Sequence, residues 1–197
     1  MTKITLQMPD LSTRNLTIVR FLLPQLLIGR VGSDTLGLHL REFVRLLDKA
    51  IFEYEDARIA FETGREDARY ILPQLAFTNH FETCINAIAR LLRLMDAMSR
   101  VRGDAASTRT MRRMAHSSSE AVRGVRNTVE HMDESIQGGK HASGNPVMIT
   151  ISDDGREAIV GDRSIALAVV ATSLTALHRI ALAILEEGST TSLPEMR

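Results

Sequence analysis

The sequence is short of cysteine and of aromatic residues, and it carries no excess of charge. Cys84 is the single cysteine, so an intramolecular disulfide is excluded. The 24 basic residues are matched by 24 acidic ones, which argues against a chain coated with positive charge for duplex DNA or an anionic membrane. Only 4% of the residues are aromatic, so the chain has few side chains on which nucleic-acid bases could stack.

The sequence predicts neither a targeting segment nor a phosphate loop. The first residues lack the apolar core of a secretory signal, and with the single cysteine this favours the cytoplasm. The longest apolar stretch, residues 165–185, includes His178 and Arg179, so we expect a buried helix and no membrane contact. Without an internal repeat or a phosphate-cradling glycine loop, repeat arrays and P-loop enzymes are set aside.

The periodicity of the apolar residues predicts an all-α fold, a bundle of about four to five helices with one inserted β-hairpin. Residues 1–35 are expected to be an N-terminal segment that packs on the bundle. Residues 36–187 form the bundle itself, and residues 188–197 a flexible tail. One domain is the default for a chain of 197 residues.

The helices are placed by their apolar stripes and by the residues that end them. A short helix is expected within 16–28, a long one over 36–63 with Gly64 as its C-cap, and a second long one ending near Arg102. That second long helix follows a break between residues 69 and 78, where Pro73 interrupts the pattern.

A third helix should end at Gly138 and Gly139 and carry an apolar stripe at spacings of three and four. The stripe consists of Val122, Val125, Val129, Met132 and Ile136.

The only strand signal lies in residues 146–160. Two short apolar runs flank the turn residues Asp153, Asp154 and Gly155, which is typical of a hairpin. Asp162 or Ser164 is then expected to cap a last helix that runs to about Glu187 and lies at the centre of the bundle or in a subunit interface.

Positive charge is concentrated in one part of this neutral chain. Nine arginines between residues 90 and 126 face only three acidic residues, which predicts a local basic surface. Arg112, Arg113 and Arg123 are its candidate ligands for RNA phosphates. The arginines are Arg90, Arg93, Arg100, Arg102, Arg109, Arg112, Arg113, Arg123 and Arg126.

The third helix holds the strongest candidate for chemistry. Asn127 and His131 project from the side opposite its apolar stripe, and Arg126 lies on the flank between the two faces. Histidine can exchange a proton near neutral pH, arginine can bind a phosphate through two hydrogen bonds, and asparagine can orient either group. These are the parts of a metal-independent ribonuclease.

Residues 126–131, Arg-Asn-Thr-Val-Glu-His, resemble the Arg-(Asn/Asp/His)-x3-His form of the motif of the HEPN superfamily. The resemblance implies a helical bundle over roughly 36–187 that dimerises and cuts single-stranded RNA without a metal or other cofactor. His131 would be the acid or base for attack by the ribose 2′-hydroxyl, Arg126 would stabilise the phosphorane and Asn127 would orient them.

The same resemblance extends to biological role. Some HEPN proteins are toxins or phage-defence effectors, and a cognate antitoxin or a nucleotidyltransferase would then be a partner. In some of these toxins the partner acts on a tyrosine two residues after the motif histidine, but here that position is Asp133. A tyrosine-modifying antitoxin is therefore not supported.

Three alternatives stay open from the sequence. Many HEPN domains are non-catalytic, so the chain could be a helical dimer that only binds RNA or protein. Arg109 and His116 also have a spacing that the family motif allows. Finally, His80, His131 and His178 lie on three predicted helices and could converge on a metal, although no Glu-x-x-His pair supports this.

Overall fold

Two long antiparallel helices form the frame of the fold. The computed structural model describes residues 5–14, 34–63, 71–102 and 106–190. Helix α1 spans Asp34–Thr63 and helix α2 spans Ile71–Arg102. Their antiparallel arrangement follows from the pairs that cross between them, since an early residue of α1 meets a late residue of α2.

The contacts between α1 and α2 are polar at one end of the helix pair and apolar at the other. Nη2 of Arg90 donates to Oε1 of Glu42 over 2.8 Å. At the other end the ring of Phe77 packs edge-on against Phe61, with centroids 5.8 Å apart, and stacks on Phe81 at 5.3 Å. Three of the few aromatic residues, Phe61, Phe77 and Phe81, thus fill the core between the end of α1 and the start of α2.

Three short helices cross this frame. Helix α3 spans Ala106–His116, helix α4 Ser119–Glu130 and helix α5 Met132–Gln137. Helix α3 packs on the last helix, α6, which spans Leu167–Thr190, and α4 packs on α2 and on the third strand.

The corner between α3 and α4 is fixed by a buried hydrogen bond to α6. The Ser173 hydroxyl donates to Oγ of Ser118 over 2.7 Å, and Ser118 donates to the carbonyl of Ala115. Both serine side chains are fully buried. Because buried hydroxyls need partners, this pair sets the position at which the chain turns from α3 into α4.

A small antiparallel sheet of order β1-β2-β3 covers one part of the bundle. Strand β1 is Thr150–Ile151, β2 is Glu157–Val160 and β3 is Arg163–Ala166. Gly161 and Asp162 connect β2 to β3, and Val160 pairs with Arg163 across that turn.

The predicted hairpin is confirmed, but the expected start of the last helix is wrong. Asp162 and Ser164 belong to the turn and to β3, and the helix begins at Leu167. Strand β3 has only four residues, and Ile165 is the one fully buried among them, so it carries almost no alternating strand pattern. Asp162 and Ser164 also resemble helix caps.

Other boundaries match the expectations closely or lie outside the described residues. The long helices were expected at 36–63 and up to 102, and both expected C-terminal ends are confirmed. The break expected between residues 69 and 78 is wrong from residue 71 onward, because α2 begins at Ile71 and holds Pro73 in its first turn, where proline is tolerated. Helix α3 was not anticipated as a separate element. The last helix was expected to end near Glu187 and ends at Thr190, so it includes the first three residues of the tail expected at 188–197. The rest of that tail, the expected helix at 16–28 and the cap at Gly64 lie outside the described part of the chain.

The predicted third helix is divided at His131. This residue has φ −114° and ψ 21° and stands between α4 and α5. Its amide still donates to the Asn127 carbonyl at 3.0 Å, so the distortion is local. Along the predicted stripe Val122, Val125 and Met132 are buried, whereas Ile136 is 50% exposed because the turn at 131 rotates it away from the core.

The last helix is apolar enough to cross a membrane by composition. Within it, the window Leu167–Ile184 has the required length and hydropathy, but 56% of that window is buried inside the protein. Burial of this kind is what the core helix of a soluble protein requires, since its apolar faces are covered by other helices.

The N-terminal segment crosses the tip of the hairpin before it reaches α1. The Gln7 amide donates to the Gly155 carbonyl over 2.8 Å, and the Leu11 amide donates to Oε1 of Glu55 over 2.6 Å. Met8 and Leu11 are buried in the core. These contacts hold residues 5–14 on the bundle.

We expect Gly155→Ala to destabilise the protein more than the matched change Gly139→Ala. Both glycines have positive φ, 75° and 63°, but a Cβ at Gly155 would lie 1.9 Å from the Thr5 carbonyl oxygen, and a Cβ at Gly139 would meet nothing within 4 Å. The control should lower the free energy of unfolding by about 1 kcal/mol, from backbone strain alone. Gly155→Ala should lower it by about 2–4 kcal/mol.

Urea unfolding of the two variants measures this difference. Equal losses would contradict the close passage of the N-terminal segment over the hairpin tip.

Candidate functional site

The three residues of the predicted motif have different surroundings. Nε and Nη2 of Arg126 both donate to Oε1 of Glu130, over 2.9 and 2.6 Å. Nδ1 of His131 lies 3.2 Å from Oε2 of Glu134, and the His131 side chain is 61% exposed. Asn127 is exposed as well. Arg126 and His131 thus each have an acidic partner of their own on the same helical segment.

Arg126 also faces a cleft that the other two motif residues do not line. The cleft has a volume of about 170 Å³ and lies between α2, the end of α3 and the first turns of α4. We call it the basic cleft. Its polar lining consists of Arg93, Asp96, His116, Ser119, Arg123 and Arg126.

A histidine and a carboxylate are paired inside the basic cleft. Nε2 of His116 lies 2.9 Å from Oδ1 of Asp96, and Nη2 of Arg112 approaches the same oxygen at 3.3 Å. The side chains of His116 and Asp96 are 36% and 38% exposed, so the pair is open to a ligand yet partly shielded from water. Partial shielding strengthens charged hydrogen bonds.

The pairing determines which nitrogen of neutral His116 holds the proton. An ionised carboxylate can only accept hydrogen bonds, so Nε2 carries the hydrogen and Nδ1 keeps its lone pair. A histidine with this arrangement is an oriented proton acceptor, as in other His–Asp pairs.

The charge of the basic cleft favours an anion. Within the described residues no carboxylate lies at ion-pair distance from Arg93 or Arg123, while the carboxylate of Asp96 is already bonded to His116 and Arg112. The cleft also contains Ser119, the first residue of α4, and the N-terminus of a helix carries partial positive charge. Guanidinium groups can bind a phosphate through two hydrogen bonds each.

The predicted phosphate ligands are distributed unevenly. Arg123 lines the basic cleft, Arg112 supports it through Asp96, and Arg113 is exposed on α3. Arg109, which shares the motif spacing with His116, is exposed and lies on the same helix, about two turns before that histidine.

The sequence did not predict Arg93 and Asp96 as residues of a site. Arg93 and Asp96 are three apart on α2, and Arg112 and His116 are four apart on α3, so each pair shares a helix face. The spacing predicts that each pair lies on one face of its helix. Tertiary packing decides that these faces of α2 and α3 meet.

A second cleft with basic residues lies between α1 and α2. It has a volume of about 210 Å³ and is lined by Arg45, Lys49 and Arg90, with no histidine. Glu42 binds both arginines at 2.8 Å, so much of their charge is already neutralised. This second cleft can attract an anion but has no group for proton transfer.

The possible metal triad does not assemble. Nδ1 of His80 lies 2.8 Å from Oε2 of Glu53, while His131 is paired with Glu134 on the surface. No group of three or more His, Cys, Asp or Glu side chains lies close enough to hold a metal ion in the described ranges. His80, His131 and His178 therefore have separate environments.

Comparison of the chain with protein-family models, with curated proteins and with solved structures finds no match. The likeness to the HEPN superfamily accordingly depends on the sequence motif at 126–131.

We expect His178 to make the protein less stable in mild acid. Burial lowers its pKa, and the nearby Arg14 lowers it further. The unfolded chain therefore binds a proton near pH 6.5 that the folded chain rejects, so stability falls as the pH drops below about 6.5. The variant His178→Gln should lose this component of the pH dependence.

Urea unfolding between about pH 7.5 and pH 5 measures the effect. The exposed His131→Gln substitution is the matched control and should retain the wild-type slope. An unchanged slope in His178→Gln would contradict the assignment.

Proposed function

We propose that this chain is a metal-independent endoribonuclease that binds a phosphate of single-stranded RNA in the basic cleft. One observation carries the proposal: Arg93, Arg123 and Arg126 line a single cleft together with a histidine–carboxylate pair. Guanidinium groups can hold the phosphate and stabilise the charge of a phosphorane, and the imidazole can move a proton. The motif at 126–131 supplies the independent sequence argument.

The reaction that such a site suits is an internal transesterification. A base removes the proton of the ribose 2′-hydroxyl, the oxygen attacks phosphorus, and the bond from phosphorus to the 5′-oxygen breaks. An acid returns a proton to the leaving oxygen. The products are a 2′,3′-cyclic phosphate and a 5′-hydroxyl, and neither water nor a metal is consumed.

A homodimer accounts for the position of the other motif residues. Asn127 and His131 are exposed and do not line the basic cleft of their own chain. We propose that a second copy presents them to the phosphate, so that the full site lies at the dimer interface. A cytoplasmic enzyme of this kind would suit a toxin or a defence effector with a cognate inhibitor.

The alternative function is a non-catalytic helical dimer that binds RNA or a protein. The observation that favours it is the pairing of Arg126 with Glu130 and of His131 with Glu134, which leaves both motif residues engaged within one helical segment. Exposed pairs of this kind contribute only about 0.3–0.5 kcal/mol, so a phosphate could displace them.

We expect the wild-type protein to cleave single-stranded RNA in EDTA and Arg126→Ala to lose about 10²-fold or more of that activity, because one phosphorane-stabilising group is removed. The measurement is the rate of cleavage of a labelled oligonucleotide. Arg156→Ala is the matched control, since Arg156 is an exposed arginine beside a carboxylate, Asp154, in the hairpin.

Two results would contradict the proposal, the first its enzymatic activity and the second the location of its site. A wild-type protein that binds the oligonucleotide without cleaving it would establish the binding module instead. Equal loss in Arg126→Ala and Arg156→Ala would show that the basic cleft is not the site.

A further inference from the structure

We propose that His116, held by Asp96, is the general base that removes the 2′-hydroxyl proton in the basic cleft. This assignment rests on the proposed ribonuclease function and names a residue that lies outside the motif at 126–131. Its chemistry is the transfer of one proton from the ribose 2′-hydroxyl to the imidazole while the oxygen–phosphorus bond forms.

Position is the first argument for His116. It lines the same cleft as Arg93, Arg123 and Arg126, so a phosphate bound by these guanidinium groups lies beside the imidazole. His131 is absent from that lining. A base has to lie within hydrogen-bond reach of the proton it takes, and within one chain His116 is the imidazole in the right cleft.

Orientation is the second argument. The 2.9 Å contact with Asp96 comes from another helix, α2, so the imidazole is held between two packed elements. It places the hydrogen on Nε2 and leaves Nδ1 as the acceptor. By contrast, the partner of His131 is Glu134, three residues away, and that carboxylate is 73% exposed.

The two histidines then take complementary roles. His116 accepts the 2′-hydroxyl proton as the bond from that oxygen to phosphorus forms. His131, presented by the second copy, gives a proton to the 5′-oxygen as its bond to phosphorus breaks. Protons and electron pairs balance, since each histidine ends the step in the protonation state opposite to the one it began with.

A pair of substrates separates the base from the acid. Single-stranded RNA needs both groups, whereas uridine 3′-(4-nitrophenyl phosphate) has a leaving group that departs without a proton and needs only the base. We expect His116→Ala to reduce kcat by about 10²–10⁴-fold on both substrates in EDTA. We expect His131→Ala to lose activity on RNA but to stay within about threefold of wild type on the nitrophenyl substrate.

One rescue experiment and two further variants test whether the effect is chemical. Free imidazole should restore part of the kcat of His116→Ala, which a structural defect would not allow. Asp96→Asn should reduce kcat with little change in KM, because the imidazole loses its orientation. His80→Ala is the matched control, since Nδ1 of His80 lies 2.8 Å from a carboxylate on another helix and its side chain is 38% exposed. It should behave as wild type.

The outcomes distinguish the two proposals. Full activity of His116→Ala on both substrates, with His131→Ala inactive on both, would overturn the role of His116 and leave the ribonuclease intact. Loss of kcat that imidazole does not restore would assign His116 a structural role and also overturn the inference. Inactivity of the wild type on both substrates would overturn the proposed function itself.

Discussion

The packing of helix α2 against α1 is the constraint on which the candidate site depends. Pairs along the full length of the two helices, from Glu42 with Arg90 to Phe61 with Phe77, fix the rotation of α2 about its axis. Leu92 and Met95 are buried in the core, so Arg93 and Asp96, the residues that directly follow them, lie at the border of the buried face of α2. A rotation of α2 by one residue, about 100°, would turn Arg93 and Asp96 away from the cleft that they line.

The short helices complete the site because their corner is anchored in turn. The hydroxyl pair of Ser118 and Ser173 holds the start of α4 against α6, and the buried Val122 and Val125 press α4 onto the bundle. His116, just before that corner, is thereby brought to Asp96, and Arg123 and Arg126 face them from α4. The chain has no net charge, and it is the packing of its helices that brings several arginine side chains together at one cleft.

Much of the frame could be predicted from the sequence, since the long helices depend on local apolar periodicity. Residues 36–63 differ from the observed α1 only at its start, and the Asp-Gly turn marked the hairpin. Strand β3 was missed because Ser164 resembles a helix cap, and the break at His131 was missed because the apolar spacing continues across it.

Only part of the candidate site could be predicted from the sequence, and the reason is physical. Arg123 was expected to bind phosphate and Arg126 to stabilise the phosphorane, and both line the basic cleft. The contact between Asp96 and His116 joins residues that are twenty positions apart and lie on different helices, so no local sequence pattern could predict it. His131 does not line the cleft of its own chain, and in the proposed dimer it would come from the second copy, an arrangement that the sequence of one chain does not show.

The basic cleft also explains how a protein poor in aromatic residues could recognise RNA. Stacking on bases requires aromatic side chains, whereas guanidinium groups hold the backbone without regard to sequence. On this account, affinity comes from phosphate contacts and cleavage specificity from the exposed 2′-hydroxyl of single strands.

The most direct test of the account is a crystal structure of the protein bound to a 2′-deoxy dinucleotide, which cannot be cleaved by transesterification. We predict the phosphate within hydrogen-bond distance of Arg123 and Arg126, with the sugar 2′-carbon turned toward His116. A phosphate bound instead in the second cleft, between Arg45 and Arg90, would contradict the central claim.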